Sequence, residues 1–177
     1  STIGMGLGVV AFSVAMGALL AVIFCVTYGR IAGLSARAIS ALLAGGMLVS
    51  VWIVPALKYP PNPPAVSLDE TIKQRTLLYL LLIVISAALF VGSILLARRL
   101  TGRFGMWNAT LLGAAGYIVS MVVVFLLMPT IDETPGPITD DAGAIIFPGF
   151  SADDLYEFRL YSLGTQVVMW VTIGLVF

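Results

Sequence analysis

An all-α, polytopic membrane helix bundle is the fold class that this sequence predicts, on three observations. Hydrophobic residues make up 60% of the 177 and charged residues 10%, with a mean hydropathy of +1.07, well outside the range of a water-soluble domain. The apolar residues gather in five blocks, each close to the roughly 20 residues needed to cross a hydrocarbon core about 30 Å thick. Prolines, glycines and charges separate the blocks. The predicted spans are residues 4–28, 38–57, 76–97, 106–128 and 155–177, forming one integral membrane domain over 1–177 with outer loops at 58–75 and 129–154.

The first block has neither a basic leader nor a small-residue cleavage site, so it reads as a span rather than a signal peptide. Its Gly4-Met5-Gly6-Leu7-Gly8 run would let another helix approach closely. In the second block the pairs Ser40/Ala44 and Ala41/Gly45, each four residues apart, offer the same kind of seam.

The second block runs into Lys58-Tyr59-Pro60-Pro61-Asn62-Pro63-Pro64. Prolines fix φ near −65° and remove backbone donors, so no helix passes through, and the segment predicts a stiff extended elbow at a membrane surface. Tyr59 and Lys58 suit the headgroup level there. Arg98 and Arg99 bound the third block, and Pro129 bounds the fourth.

Basic residues orient the bundle. The connections after spans one and three carry Arg30, Arg37, Arg98, Arg99 and Arg103 with no acidic residue, so both face the cytoplasm. The N-terminus, the elbow and the acidic fourth loop then lie outside, and the C-terminus lies inside. The fourth loop also contains Ala144-Ile145-Ile146-Phe147-Pro148-Gly149-Phe150, apolar enough to lie on the bundle, at the interface, or against a partner.

Two sets of residues are candidates for chemistry. At 100° per residue, Arg159, Ser162 and Gln166 share one face of the last span, a polar stripe that must point into the bundle or a wet cavity because lipid cannot satisfy it. It serves either helix-helix hydrogen bonding or a permeation path, and Arg159 has Asp154 as one available partner. The carboxylates Asp132, Glu133, Asp140, Asp141, Asp153 and Asp154 would attract divalent cations to an outer mouth, although their spacing matches no known calcium loop. The seven methionines form no cluster within one span and read as gap-filling.

Much is excluded. The chain has no histidine, which rules out histidine-ligated haem, zinc-hydrolase ligand sets and histidine-based triads within it. A single cysteine, Cys25, permits no internal disulfide. With no Walker motif, dinucleotide fingerprint or nucleophile elbow, neither an enzyme activity nor a cofactor is predicted. Zero net charge with scattered basic residues argues against nucleic acid.

Two stretches go beyond composition: Leu57-Lys58-Tyr59-Pro60-Pro61-Asn62-Pro63-Pro64-Ala65-Val66 and Glu157-Phe158-Arg159-Leu160-Tyr161-Ser162-Leu163-Gly164-Thr165-Gln166. Both resemble signature segments of the CbtA family of predicted cobalt transporter subunits. Thr71-Ile72, Arg75-Thr76, Leu78-Tyr79 and Trp107-Asn108-Ala109 resemble it too, so the likeness covers essentially the whole chain. It implies transport of cobalt or a related divalent ion, a further hydrophobic segment ahead of Ser1, and a CbtB-like partner, a single-span protein whose histidine-rich tail would supply metal ligands. The acidic loop around 139–149 is extended relative to the family pattern.

Two functions follow. One is a transport subunit whose path runs from the acidic loop past the elbow, with Lys58 or Arg75 setting the field, to Arg159, Ser162 and Gln166. The other is a non-transport accessory subunit of a larger membrane complex, docking through the elbow and the fourth loop.

Overall fold

The structure is a computed structural model that describes residues 2–30, 33–63, 71–131 and 136–177. It is mostly helix: α1 (Thr2–Thr27), α2 (Ala36–Met47), a π-helical stretch (Leu48–Ile53), α3 (Val54–Lys58), α4 (Ile72–Leu127) and α5 (Ala152–Val176). A two-stranded antiparallel hairpin, β1 (Ile138–Thr139) and β2 (Ile145–Phe147), precedes α5. Among the described residues three helical stretches are long and apolar enough to cross a membrane, Gly6–Thr27, Ala36–Lys58 and Ile72–Leu127. In α5 the polar run through Arg159, Ser162, Thr165 and Gln166 lowers the hydropathy.

The second stretch owes its irregular middle to Pro55. Proline lacks an N–H, and its ring would collide with the carbonyl of Val51 in a regular helix. The wider π turns of Leu48–Ile53 lie immediately before it and place Pro55 in the first turn of α3. At the other end Ser35 caps α2, its Oγ accepting from the Ala38 amide at 3.2 Å.

In α4 the helix boundary expected at Arg98 and Arg99 is corrected. Arginine, leucine and alanine are good helix formers, and the helix runs on through them until Gly105, whose φ of 76° and ψ of 163° break it. The two arms fold back as an antiparallel hairpin. Ser86 Oγ and Tyr117 Oη share a buried hydrogen bond of 2.7 Å, and Phe90 meets Tyr117 edge-on. Nearer the turn the arms approach closely at Gly113, where a Cβ would lie 2.8 Å from the Ser93 carbonyl oxygen and 2.9 Å from the Ala97 Cβ.

By its internal contacts the chain divides into two compact units, Ser1–Val49 with Gly164–Phe177, and Ser50–Leu163. In the first, Leu20, Ile39, Ser40, Ala44, Met47, Trp170 and Gly174 are buried. The Ser40/Ala44 seam closes on α5: Ser40 Oγ donates to the Gly174 carbonyl at 3.0 Å, and a Cβ on Gly174 would fall 2.7 Å from that of Ala44. At the head of α1, where tight packing is expected, a built Cβ on Gly6 or Gly8 has nothing within 4 Å among the described residues. In the second unit the hairpin of α4 and the elbow after α3 form the frame.

The apolar part of the fourth loop is strand, with Ile145 and Ile146 exposed and Phe147 against Phe150. Asp140 Oδ1 accepts from the amides of Ala142 and Ala144 and so closes the turn between the strands.

Candidate functional site

Proline chemistry dictates what the elbow requires. Its carbonyl oxygens still seek donors, yet successive prolines supply no N–H, so other parts of the chain must provide them. Arginine suits this role, with five donors on a planar fork. The Arg75 guanidinium, in the first turn of α4, donates to the Pro60 carbonyl. Arg159 of α5 donates from Nε to the Pro61 carbonyl at 3.4 Å and from Nη2 to Asn62 Oδ1 at 3.2 Å. Pro63 is buried, while Pro64 lies outside the described residues.

The residues leading into the elbow satisfy a different need. The last carbonyls of a helix have no intrahelical partner, and they carry the negative end of its dipole. Lys58 Nζ donates to the Phe125 carbonyl in the last turn of α4 at 2.8 Å, and Tyr59 Oη donates to the Pro129 carbonyl just beyond it at 2.8 Å. Tyr59 is 3% exposed, and burial pushes its hydroxyl above the usual value of 10.0, which keeps it protonated as a donor. Three cations and one phenol thus tie the elbow to α5 and to both ends of α4.

Beside this frame lies a cavity of about 300 Å³ lined by Trp52, Tyr59, Pro61, Arg75, Tyr79 and Leu80, among others. Its lining is aromatic and cationic rather than metal-ligating.

Along α5, Arg159, Ser162 and Gln166 of the predicted polar stripe are each half-buried, whereas Leu160, Tyr161 and Val167 are exposed. The structure brings Arg159 onto Asn62 and Pro61 rather than onto Asp154. Asp154 instead meets Ser151 at the start of α5, where Ser151 Oγ accepts from the Asp154 amide at 3.1 Å and donates its hydroxyl to Asp154 Oδ2 at 2.8 Å. The described carboxylates do not converge. Asp140 holds its own turn, Asp141 and Asp153 are exposed, and Asp132 and Glu133 lie outside the described residues. Among the described residues no three histidine, cysteine, aspartate or glutamate side chains form a group that could hold a metal ion.

Compared with known families, the chain matches one along its entire length, residues 1–177, described as "Probable cobalt transporter subunit (CbtA)". The chain belongs to the CbtA family. No curated protein and no solved structure matches it. Membership agrees with the apolar helices in making it a membrane-associated subunit of a transport system, a class that is not enzymatic.

For this CbtA-family chain, sequence reasoning found Arg159 and the elbow but not their mutual contact. It also missed Trp170 and Gly174. A signal for both existed: at i+4 spacing the Gln166 face continues to Trp170 and Gly174, and both are buried.

Proposed function

We propose that this chain is the membrane-embedded subunit of a transporter for cobalt or a related divalent ion, working with a partner that supplies metal ligands. The carrying observation is the family match over residues 1–177. A CbtB-like single-span protein with a histidine-rich tail would complement a chain without histidines.

In this reading residues 1–177 form one membrane domain of five spans, in a prokaryotic plasma membrane. Support for the two additional spans comes from the break at Gly105, which divides α4 into two antiparallel arms, and from α5, about 37 Å long at 1.5 Å per residue. The basic connections put the N-terminus and the loop at 129–154 outside and the C-terminus inside. The elbow then shapes an outer surface, and the Arg159, Ser162 and Gln166 stripe runs inward from it. The acidic loop concentrates cations by long-range attraction, and binding ligands come from the partner.

The test is cobalt accumulation in cells with and without the gene, with the partner present. Lower accumulation without the gene is expected, and unchanged accumulation sinks the transport reading.

One observation favours a second reading, a non-transport accessory subunit. Lys58, Arg75 and Arg159 all converge on the elbow and its anchors, an arrangement that repels a cation and suits a rigid docking ledge. Stoichiometric purification within a larger complex, combined with unchanged cobalt accumulation, would select this alternative.

A further inference from the structure

The turn of the α4 hairpin gathers cations that the apolar pattern assigns to a loop. Arg98, Arg99 and Arg103 are helical instead, because α4 runs on to the break at Gly105, and all three are exposed. At 100° per residue Arg99 and Arg103 stand about 40° apart on one face, with Cβ atoms roughly 6 Å from each other. Like charges at that spacing repel and destabilise a helix unless something negative lies between them. The chain supplies nothing of the kind. The α4 sequence has no acidic residue from Ile72 to Leu127, and among the described residues no carboxylate pairs with any of the three arginines. Arg103 lies over the Phe104 ring, 5.2 Å from its centroid.

The same face changes character toward the membrane. Leu95 and Val91 precede Arg99 at the same four-residue spacing, and they are 52% and 56% exposed. The apolar block ends at Ala97, and the helix goes on to Phe104, a further rise of about 10 Å at 1.5 Å per residue. That rise is comparable with one headgroup layer, about 5–8 Å deep. Beyond the break Trp107 is 75% exposed, and an indole suits this boundary. A water-soluble acidic protein would cover the arginines and leave the apolar part of the stripe bare. A phospholipid covers both.

We propose that Arg99 and Arg103 bind the phosphodiester of an anionic phospholipid, whose acyl chains lie along Leu95 and Val91. The inference rests on the reading above in which Gly105 separates two spans, and it uses nothing of the metal path. A guanidinium donates two parallel N–H bonds to phosphate oxygens, so one phosphate between the pair replaces a repulsion with charge-assisted hydrogen bonds.

The test uses the purified full chain in vesicles of equal parts phosphatidylglycerol and phosphatidylcholine with matched acyl chains, released into mild detergent for native mass spectrometry. Retained phosphatidylglycerol is expected to exceed retained phosphatidylcholine. Arg99→Gln and Arg103→Gln should each lower that excess about fivefold, and the double variant should abolish it. Lys73→Gln, an equal loss of charge at the other end of α4, should leave it unchanged. Without phosphatidylglycerol both arginine variants should melt no lower than the parent, since a repulsion is relieved, and this separates a lost site from a lost fold. Equal retention of the two lipids, or an equal loss in Lys73→Gln and Arg99→Gln, overturns the proposal. A photo-crosslinking amino acid at Gly102, or at the exposed Ile118 within the second arm, separates this inference from the spanning reading. Lipid adducts are expected at both positions, with phosphatidylglycerol in excess at 102 alone. Adducts at 118 without headgroup preference at 102 overturn this inference alone, whereas no lipid adduct at 118 overturns the spanning reading and the inference with it. In intact cells, adducts at 102 with protein rather than lipid assign the face to an acidic partner and overturn the proposal.

Discussion

Arg159 on α5 donates to the side-chain oxygen of Asn62, ninety-seven residues earlier, across 3.2 Å, and to the carbonyl of the neighbouring Pro61. The polar stripe of the last helix thereby meets the proline elbow, and a guanidinium occupies the oxygens that prolines leave without a backbone donor.

Arg159→Gln should lower stability by about 1–3 kcal/mol, the range for hydrogen bonds to a charged group, with the half-exposed setting favouring the lower end. Thermal midpoints in mild detergent measure it. In a double-mutant cycle with Asn62→Ala, a coupling of at least about 0.5 kcal/mol is expected. Additive losses would show that the pair is not coupled.

Two glycines in the second arm of α4 should respond differently. Gly113→Ala places a methyl 2.8 Å from a backbone oxygen and should cost about 1–3 kcal/mol. Gly116→Ala meets only the Leu96 Cδ2 at 3.6 Å and should be neutral or stabilising through helix propensity. Equal midpoints for the two variants would contradict the close approach of the arms.

Gly105 adopts backbone angles that are essentially reserved for glycine. Gly105→Ala should cost about 1–3 kcal/mol, whereas alanine at Gly102, in the preceding helical turn, should not destabilise. Midpoints of the two variants decide the matter, and an undisturbed Gly105→Ala protein would place the turn elsewhere.

Tyr59 sets an alkaline limit. Its folded pKa is raised by burial, so its stabilising contribution is complete below about pH 10 and is lost as pH rises through the raised value. Tyr59→Phe should lose about 0.5–1.5 kcal/mol near neutrality, through the missing bond to Pro129, and show a shallower decline above pH 10. Parallel alkaline limbs for the two proteins would assign the decline to other groups.

Helix content, the elbow's terminating role and the family were legible because each is local: apolar block length, proline at fixed positions, short runs of particular residues. The π turns before Pro55 and the run of α4 through Arg98 and Arg99 were not, because both depend on how a backbone accommodates a residue several positions away. The glycines show the same division. At Gly6 and Gly8 a built Cβ meets nothing within 4 Å among the described residues, while Gly113 and Gly174, in neither of the predicted seams, sit where helices touch.

By itself the sequence determined that this chain enters membranes as apolar helices, that its second helix stops at the prolines, and that it has no histidine to offer a metal. Only the tertiary structure decided which groups answer one another: Arg75 and Arg159 on the elbow carbonyls, Lys58 and Tyr59 on the end of α4, Ser151 rather than Arg159 on Asp154, and, among the described residues, no acceptor for Trp170. The physical reason is that a pattern along one helix specifies a face, whereas a donor's partner is set by the approach of a second segment, and that approach is decided by packing.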